Sequence, residues 1–153
     1  LCVSEALPGR EEYSNSEKYE IKRWELNKPD NLRDLIARLN QIRKENRALQ
    51  SISNIRFYDV ANDYLLFYGK ATEDLSNILL IVVNLDPFHT QSGWVRVPLD
   101  ELGIVPDQPY LVYDLLSNDK YIWHGEWNYV ELNPDITCSH IPRSPTPAPR
   151  GGF

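Results

Sequence analysis

Residues 6–20 read ALPGREEYSNSEKYE, and eight of these fifteen are charged or aromatic: Arg10, Glu11, Glu12, Tyr13, Glu17, Lys18, Tyr19 and Glu20. Carboxylates, an ammonium, a guanidinium and two phenols together supply donors, acceptors and ring faces for a polar ligand. The stretch has neither the period of a helix nor the alternation of a strand. It is too polar for a core and too rich in functional groups for a plain linker. Two readings follow from the residues: a ligand-binding loop, or ion pairs and packing beneath a loop. Spacing alone favours the second, because structural ion-pair networks also gather charges in this way.

The elements that would position such a loop are legible downstream. Residues 1–29 are irregular and polar, and residues 30–46, DNLRDLIARLNQIRKEN, form the clearest helical pattern. Leu32, Leu35, Ile36, Leu39 and Ile42 recur at i, i+3, i+4 and i+7, while Arg33, Asp34, Arg38, Gln41 and Lys44 fall on the other side. Pro29 precedes it, and Asp30 or Asn31 is the expected cap. A helix of this length is marginal alone in water, so its apolar stripe requires a partner. An under-covered stripe at Leu32, Leu35, Ile36 and Leu39 would favour self-association into a homo-oligomer.

Beyond residue 50 the texture changes to short β-branched and aromatic runs: IRFYDV, YLLFYGKAT, NILLIVVNL, GWVRVPL, YLVYDLL, KYIWHG and NYVEL. Turn-forming pairs such as Asn-Asp, Asp-Pro, Ser-Gly and Asn-Pro separate them. The expected fold class is mainly β, an antiparallel β-sandwich preceded by a loop and one amphipathic helix. ILLIVV, apolar on both faces, is the expected central strand. The tail PRSPTPAPRGGF, residues 142–153, is rich in Pro and Gly and is expected to be disordered.

Composition narrows the function classes. A chain of 153 residues suffices for one domain with a real core, and 42% apolar with 25% charged residues is ordinary for a globular protein. The net charge of −6 provides no basic field for nucleic acid or anionic lipid, so small neutral or polar partners fit better. No apolar run is long enough for a membrane span. Cys2 and Cys138 stand at opposite ends, and His89, His124 and His140 are scattered, so no metal site is expected. The first residue is Leu, without a recognisable leader, and an excised piece of a longer chain is expected.

ALPGREEY, SEKYEI, NLRDLIARLNQIRKENRALQ, VVNLDPFHTQSGWVRVPLDELGI and NYVELNP together closely resemble the C-terminal end of the bacterial α-1,4-glucan:maltose-1-phosphate maltosyltransferases, a branch of glycoside hydrolase family 13 in the α-amylase clan. The resemblance runs from about residue 1 to about residue 141. It implies that residues 1–50 are the end of a catalytic (β/α)8 barrel, comprising its last βα-loop and last helix. Residues 51–141 would then be an α-amylase-type C-terminal sandwich. βα-loops build the catalytic face of such barrels, which gives residues 6–20 a role. By motif match, Lys18 and Tyr19 would contact the donor maltosyl unit. The substrates implied are α-maltose 1-phosphate and α-1,4-glucan, handled by a cytoplasmic enzyme with no metal or organic cofactor; neither nucleic acid nor membrane is an expected partner.

The catalytic carboxylates are expected elsewhere. Retaining glycosyl transfer needs two carboxyl groups roughly 5 Å apart on either side of one bond. The family carries these on earlier barrel strands, so no catalytic residue is assigned in this chain, and the missing barrel portion is an implied partner. Glu11 and Glu12 are adjacent in sequence and read as loop architecture beside Arg10. SHIPRSP departs from the family pattern by placing Pro142 and Pro145 where a closing strand would run, so truncation at Ile141 is expected. Two alternatives to a maltosyltransferase fragment are a stand-alone carbohydrate-binding module stacking glucan on Trp94, Trp123 or Trp127, and a structural sandwich with no ligand.

Overall fold

The computed structural model describes residues 8–9, 21, 23, 25, 27, 31–136, 139–140 and 142–147, the last two stretches as backbone. The chain divides into two units, Leu1–Asn40 and Gln41–Phe153. Helix α1, Arg33–Glu45, begins where Asn31 accepts a hydrogen bond from the Arg33 N–H through Oδ1 at 2.8 Å. An Asx side chain satisfies an otherwise orphaned first-turn amide in this way. In the first unit Leu35 and Ile36 remain 44% and 52% exposed, whereas Ile42, in the second, is 2% exposed. A 3-10 turn, Arg47–Gln50, follows.

All seven anticipated runs are strands: β1 Ile55–Phe57, β2 Leu65–Ala71, β3 Ile78–Asn84, β4 Gln91–Arg96, β5 Tyr110–Asp114, β6 Lys120–Trp123 and β7 Trp127–Leu132. Two further strands, β8 Ser139–His140 and β9 Pro142–Pro147, complete the set. A short helix α2, Leu99–Leu102, closes on Gly103, whose φ of 67° is the left-handed conformation a helix C-terminus favours in glycine. The larger sheet runs β1-β2-β3-β9-β5-β6 with β8 also on β3, and β4 pairs with β7 in a second sheet. Every pairing is antiparallel.

Strand β3 is central, flanked by β2 on one edge and by β8 and β9 on the other. Its alternation divides two cores. Ile78, Leu80 and Val82 pack with Phe67, Val95, Tyr110, Val130 and Leu132 between the sheets. Leu79 and Ile81 face the other way and pack with Ile42 and Ala48 at the end of α1. That second contact carries a buried amide chain. Asn77 Nδ2 donates to Asn46 Oδ1 at 3.0 Å, Asn46 Nδ2 donates to the Ile42 carbonyl at 2.8 Å, and the Ala48 N–H donates to Asn77 Oδ1 at 2.9 Å.

Residues 142–147 do not follow the expectation of a disordered tail or of truncation at Ile141. They form β9 inside the larger sheet, between β3 and β5. Proline removes a ladder donor, and the register shows how the sheet accommodates this. Pro142 pairs with Asp114 and Pro147 with Tyr110 at the two ends of the strand. Pro145 falls where the pairing shifts between Leu111 and Tyr113, a bulge at which no regular ladder bond is demanded.

Asn77→Ala should test the joint between the α1 end and β3. It strips partners from the Ala48 N–H and from Asn46 Oδ1, and each buried unsatisfied group costs roughly 1–3 kcal/mol. A loss of about 2–4 kcal/mol in urea unfolding is expected, with the midpoint falling at unchanged slope.

Candidate functional site

Lys18 and Tyr19, the residues the resemblance marks for donor binding, lie outside the described residues, as do Arg10, Glu11, Glu12, Glu17, Glu20, Cys2 and Cys138. Among the described residues no group of three or more His, Cys, Asp or Glu side chains could hold a metal ion.

One surface among the described residues that gathers exposed aromatic side chains is the outward face of β4 and β7. Alternation sets its composition. Gly93 and Val95 of β4 and Asn128, Val130 and Leu132 of β7 turn inward, which leaves Trp94, Arg96, Trp127, Tyr129 and Glu131 outward. The register places Trp94 opposite Tyr129 and Arg96 opposite Trp127. Trp94 and Tyr129 are 51% and 53% exposed, with ring centroids 5.7 Å apart and planes inclined at 67°. Trp127 is 46% exposed. Trp123, the third indole considered from sequence, is only 8% exposed and packs edge-on to Tyr110, so it is a core residue. Tyr129 was the residue missed: the alternation of WNYVEL puts it on the face of Trp127, but its pairing with Trp94 depends on a register between distant segments.

Two tethers hold this face. At the start of β4, Asp86 accepts from the Phe88 and His89 N–H groups at 2.9 and 3.2 Å and from Gln91 Nε2 at 3.0 Å. The Phe88 amide bond above all keeps the Asp86 carboxyl below the usual aspartate range. Asn84 Nδ2 donates to the Leu132 carbonyl at 3.1 Å and so ties the end of β3 to the end of β7. The other edge of β4 is held by the Ala61 N–H donating to the Trp94 carbonyl at 2.8 Å. Gly93 eases the close approach there, because a Cβ would lie 3.1 Å from Asn62 Cβ, which would have to give by a few tenths of an ångström.

The second tether is Tyr110, whose hydroxyl donates to the Gly125 carbonyl at 2.9 Å and accepts from Asn128 Nδ2 at 2.9 Å. It fixes the turn that leads into Trp127. Burial pushes its phenol up to about 12, although the Asn128 hydrogen bond pulls the other way.

A cleft of about 300 Å³ beside Arg96 is lined in part by Tyr58, Asp59, Glu101 and Glu126. Three of the carboxylates that line it are matched to guanidinium groups: Glu126 to Arg96 at 3.1 Å, Asp59 to Arg96 at 3.7 Å and Glu101 to Arg56 at 3.0 Å. Desolvation, and then the charge of Glu101, raise the Tyr58 phenol. Carboxylates committed to arginines in this way make much of the cleft an ion-paired surface.

This architecture, two antiparallel sheets with a helix end packed on the outside of the larger one, is the sandwich class found in amylase-like enzymes. A solved α-amylase from Anoxybacillus shares the fold, with a TM-score of 0.56 at 17% identity over 84% of this chain and 25% of that one. Residues 57–143 match the family model described as GLGE, C-terminal, and the chain belongs to that family. An α-1,4-glucan:maltose-1-phosphate maltosyltransferase of Chlorobaculum tepidum is 46% identical over 97% of this chain and 23% of its own length. One of Methylacidiphilum infernorum is 46% identical over 92% of this chain and 21% of its own length. The chain therefore spans about a quarter or less of the curated relatives it matches.

The Tyr110 tether has a pH signature. A phenol whose folded value is raised from 10.0 to about 12 contributes stability that is complete below pH 10. That contribution is lost as pH rises through about 12. Thermal melts from neutral to alkaline pH should show stability falling above pH 10 in the wild type, and a shallower fall in Tyr110→Phe.

Proposed function

We propose that this chain is the C-terminal part of a cytoplasmic retaining glycosyltransferase that moves maltosyl units from α-maltose 1-phosphate to the non-reducing end of α-1,4-glucan. The observation that carries this reading is 46% identity across 97% of the chain to a relative named for that activity. In the proposed reaction the anomeric carbon–phosphate oxygen bond breaks, inorganic phosphate leaves, and a new α-1,4 bond forms to the acceptor hydroxyl. Retention requires two displacements through a carboxylate nucleophile, with a second carboxyl group about 5 Å away acting as acid and then base. These carboxylates are assigned to a barrel portion of the same polypeptide outside residues 1–153, and no metal or organic cofactor is needed for the chemistry.

Within the chain, residues 1–50 are proposed as the last βα-loop and helix of that barrel, and residues 51–141 as the domain that braces it. The apolar side chains exposed along the first half of α1 are in keeping with a helix that is one member of a larger layer. Lys18 and Tyr19 are proposed to bind the maltosyl unit, Lys18 through its ammonium donors and Tyr19 through its hydroxyl and ring.

In a polypeptide that includes the barrel, Lys18→Ala should lower kcat/KM for maltose 1-phosphate by roughly ten- to a hundredfold, the size expected for losing charge-assisted hydrogen bonds. Tyr19→Phe should cost less, because its ring remains. Residues 1–153 alone should release no phosphate from maltose 1-phosphate. A Lys18→Ala enzyme within twofold of wild type at unchanged melting temperature removes the donor-site role, and phosphate release by the chain alone removes the division of labour.

A further inference from the structure

We infer that the outward face of β4 and β7 is a saccharide-binding platform for a curved α-linked glucan chain, built on Trp94 and Tyr129 with Trp127 beside them. The face has the chemistry for this ligand. A glucopyranose ring presents C–H groups on its faces and hydroxyls around its rim, so it is held by aromatic rings flanked by hydrogen-bonding groups. Here Trp94, Trp127 and Tyr129 are each about half exposed, and the outward side chains flanking them include Arg96 and Glu131, which carry hydrogen-bonding groups. No aliphatic side chain joins them on the outward positions of these strands, unlike a surface built for packing against another apolar face.

Charge disfavours an anionic ligand. Arg96, the cation on this face, is already matched by Glu126 and Asp59, and those hydrogen bonds, Glu126 first, bind its proton more tightly. An anionic partner would have to displace them. The angle between the rings selects the shape of the chain. Planes inclined at 67° cannot both stack on a flat ribbon such as a β-1,4 glucan, whose sugar faces lie nearly parallel. An α-1,4 chain coils, and its successive sugars present turned faces.

Beside Tyr129 and Glu131, a notch of about 200 Å³ is lined also by Tyr121 and by the inward residues Val82, Trp123 and Val130. This side of the second unit is also free of the α1 end, which packs on the opposite surface of the larger sheet through Ile42, Leu79 and Ile81. The choice of α-1,4-glucan among curved saccharides rests on the proposed function; the platform itself rests on the ring geometry.

Native gel electrophoresis of the 153-residue chain through glycogen, through hydroxyethylcellulose and through plain gel tests the inference. Retardation by glycogen alone is expected. Trp94→Ala and Tyr129→Ala should each weaken it by about tenfold or more, as expected for an aromatic anchor. Trp94→Phe should recover part of the binding, and melting temperatures should stay near wild type because both side chains are half exposed. Wild-type mobility unchanged by glycogen, equal retardation by hydroxyethylcellulose, or full retardation of the Trp94→Ala protein overturns the platform. Dimerisation lost on Trp94→Ala, without glycogen retardation, assigns the face to a second copy and overturns it as well. Glycogen retardation in a chain whose longer polypeptide fails to release phosphate from maltose 1-phosphate keeps the platform and removes only the proposed function.

Discussion

Strand β3 carries apolar side chains toward both surfaces of its sheet, so both surfaces have to be covered. Leu80 and Val82 are met by the inner residues of β4 and β7, while Leu79 and Ile81 are met by Ile42 and Ala48. Burying a Val, Leu or Ile side chain stabilises by about 1.5–3 kcal/mol, so a strand wet on either side would be a large liability. The rest of the second unit follows from this: a sandwich on one side of β3 and a helix end on the other.

The two covers differ in chemistry. The sandwich core is mainly apolar, with Asn84 and Asn128 buried at its margin and hydrogen-bonded there. The helix cover is specified by amides, because Asn46 and Asn77, 1% and 8% exposed, have few ways to satisfy their hydrogen bonds. Apolar packing brings the α1 end to β3, and the amides fix where along β3 it stops. A buried polar contact of this kind penalises misplacement more than it rewards formation.

The outward face exists because β4 and β7 form a two-stranded layer. Their inner residues complete the core, and among the described residues no third layer meets their outer ones. Gly93, the Asn84 amide and the Tyr110 hydroxyl are spent on holding these strands in place. Precision of this sort makes half-exposed rings usable for recognition, since a ring held by its backbone loses little freedom on binding.

Much of this was written in the chain order. Alternation and turn residues located all seven central strands, the heptad-like spacing located α1, and long contiguous motifs placed the chain in its family. Those signals are local, and each depends on side chains a few residues apart. Tertiary structure decided what depends on distant pairs. WNYVEL and GWVRV each contain a tryptophan, yet only the register between them sets Trp94 against Tyr129 and leaves Trp123 inside. Pro142, Pro145 and Pro147 argue locally against a strand, yet β3 and β5 present edges that need a partner, and a bulge accommodates the missing donor. Propensity is a property of a segment; exposure and pairing belong to the segments that meet it.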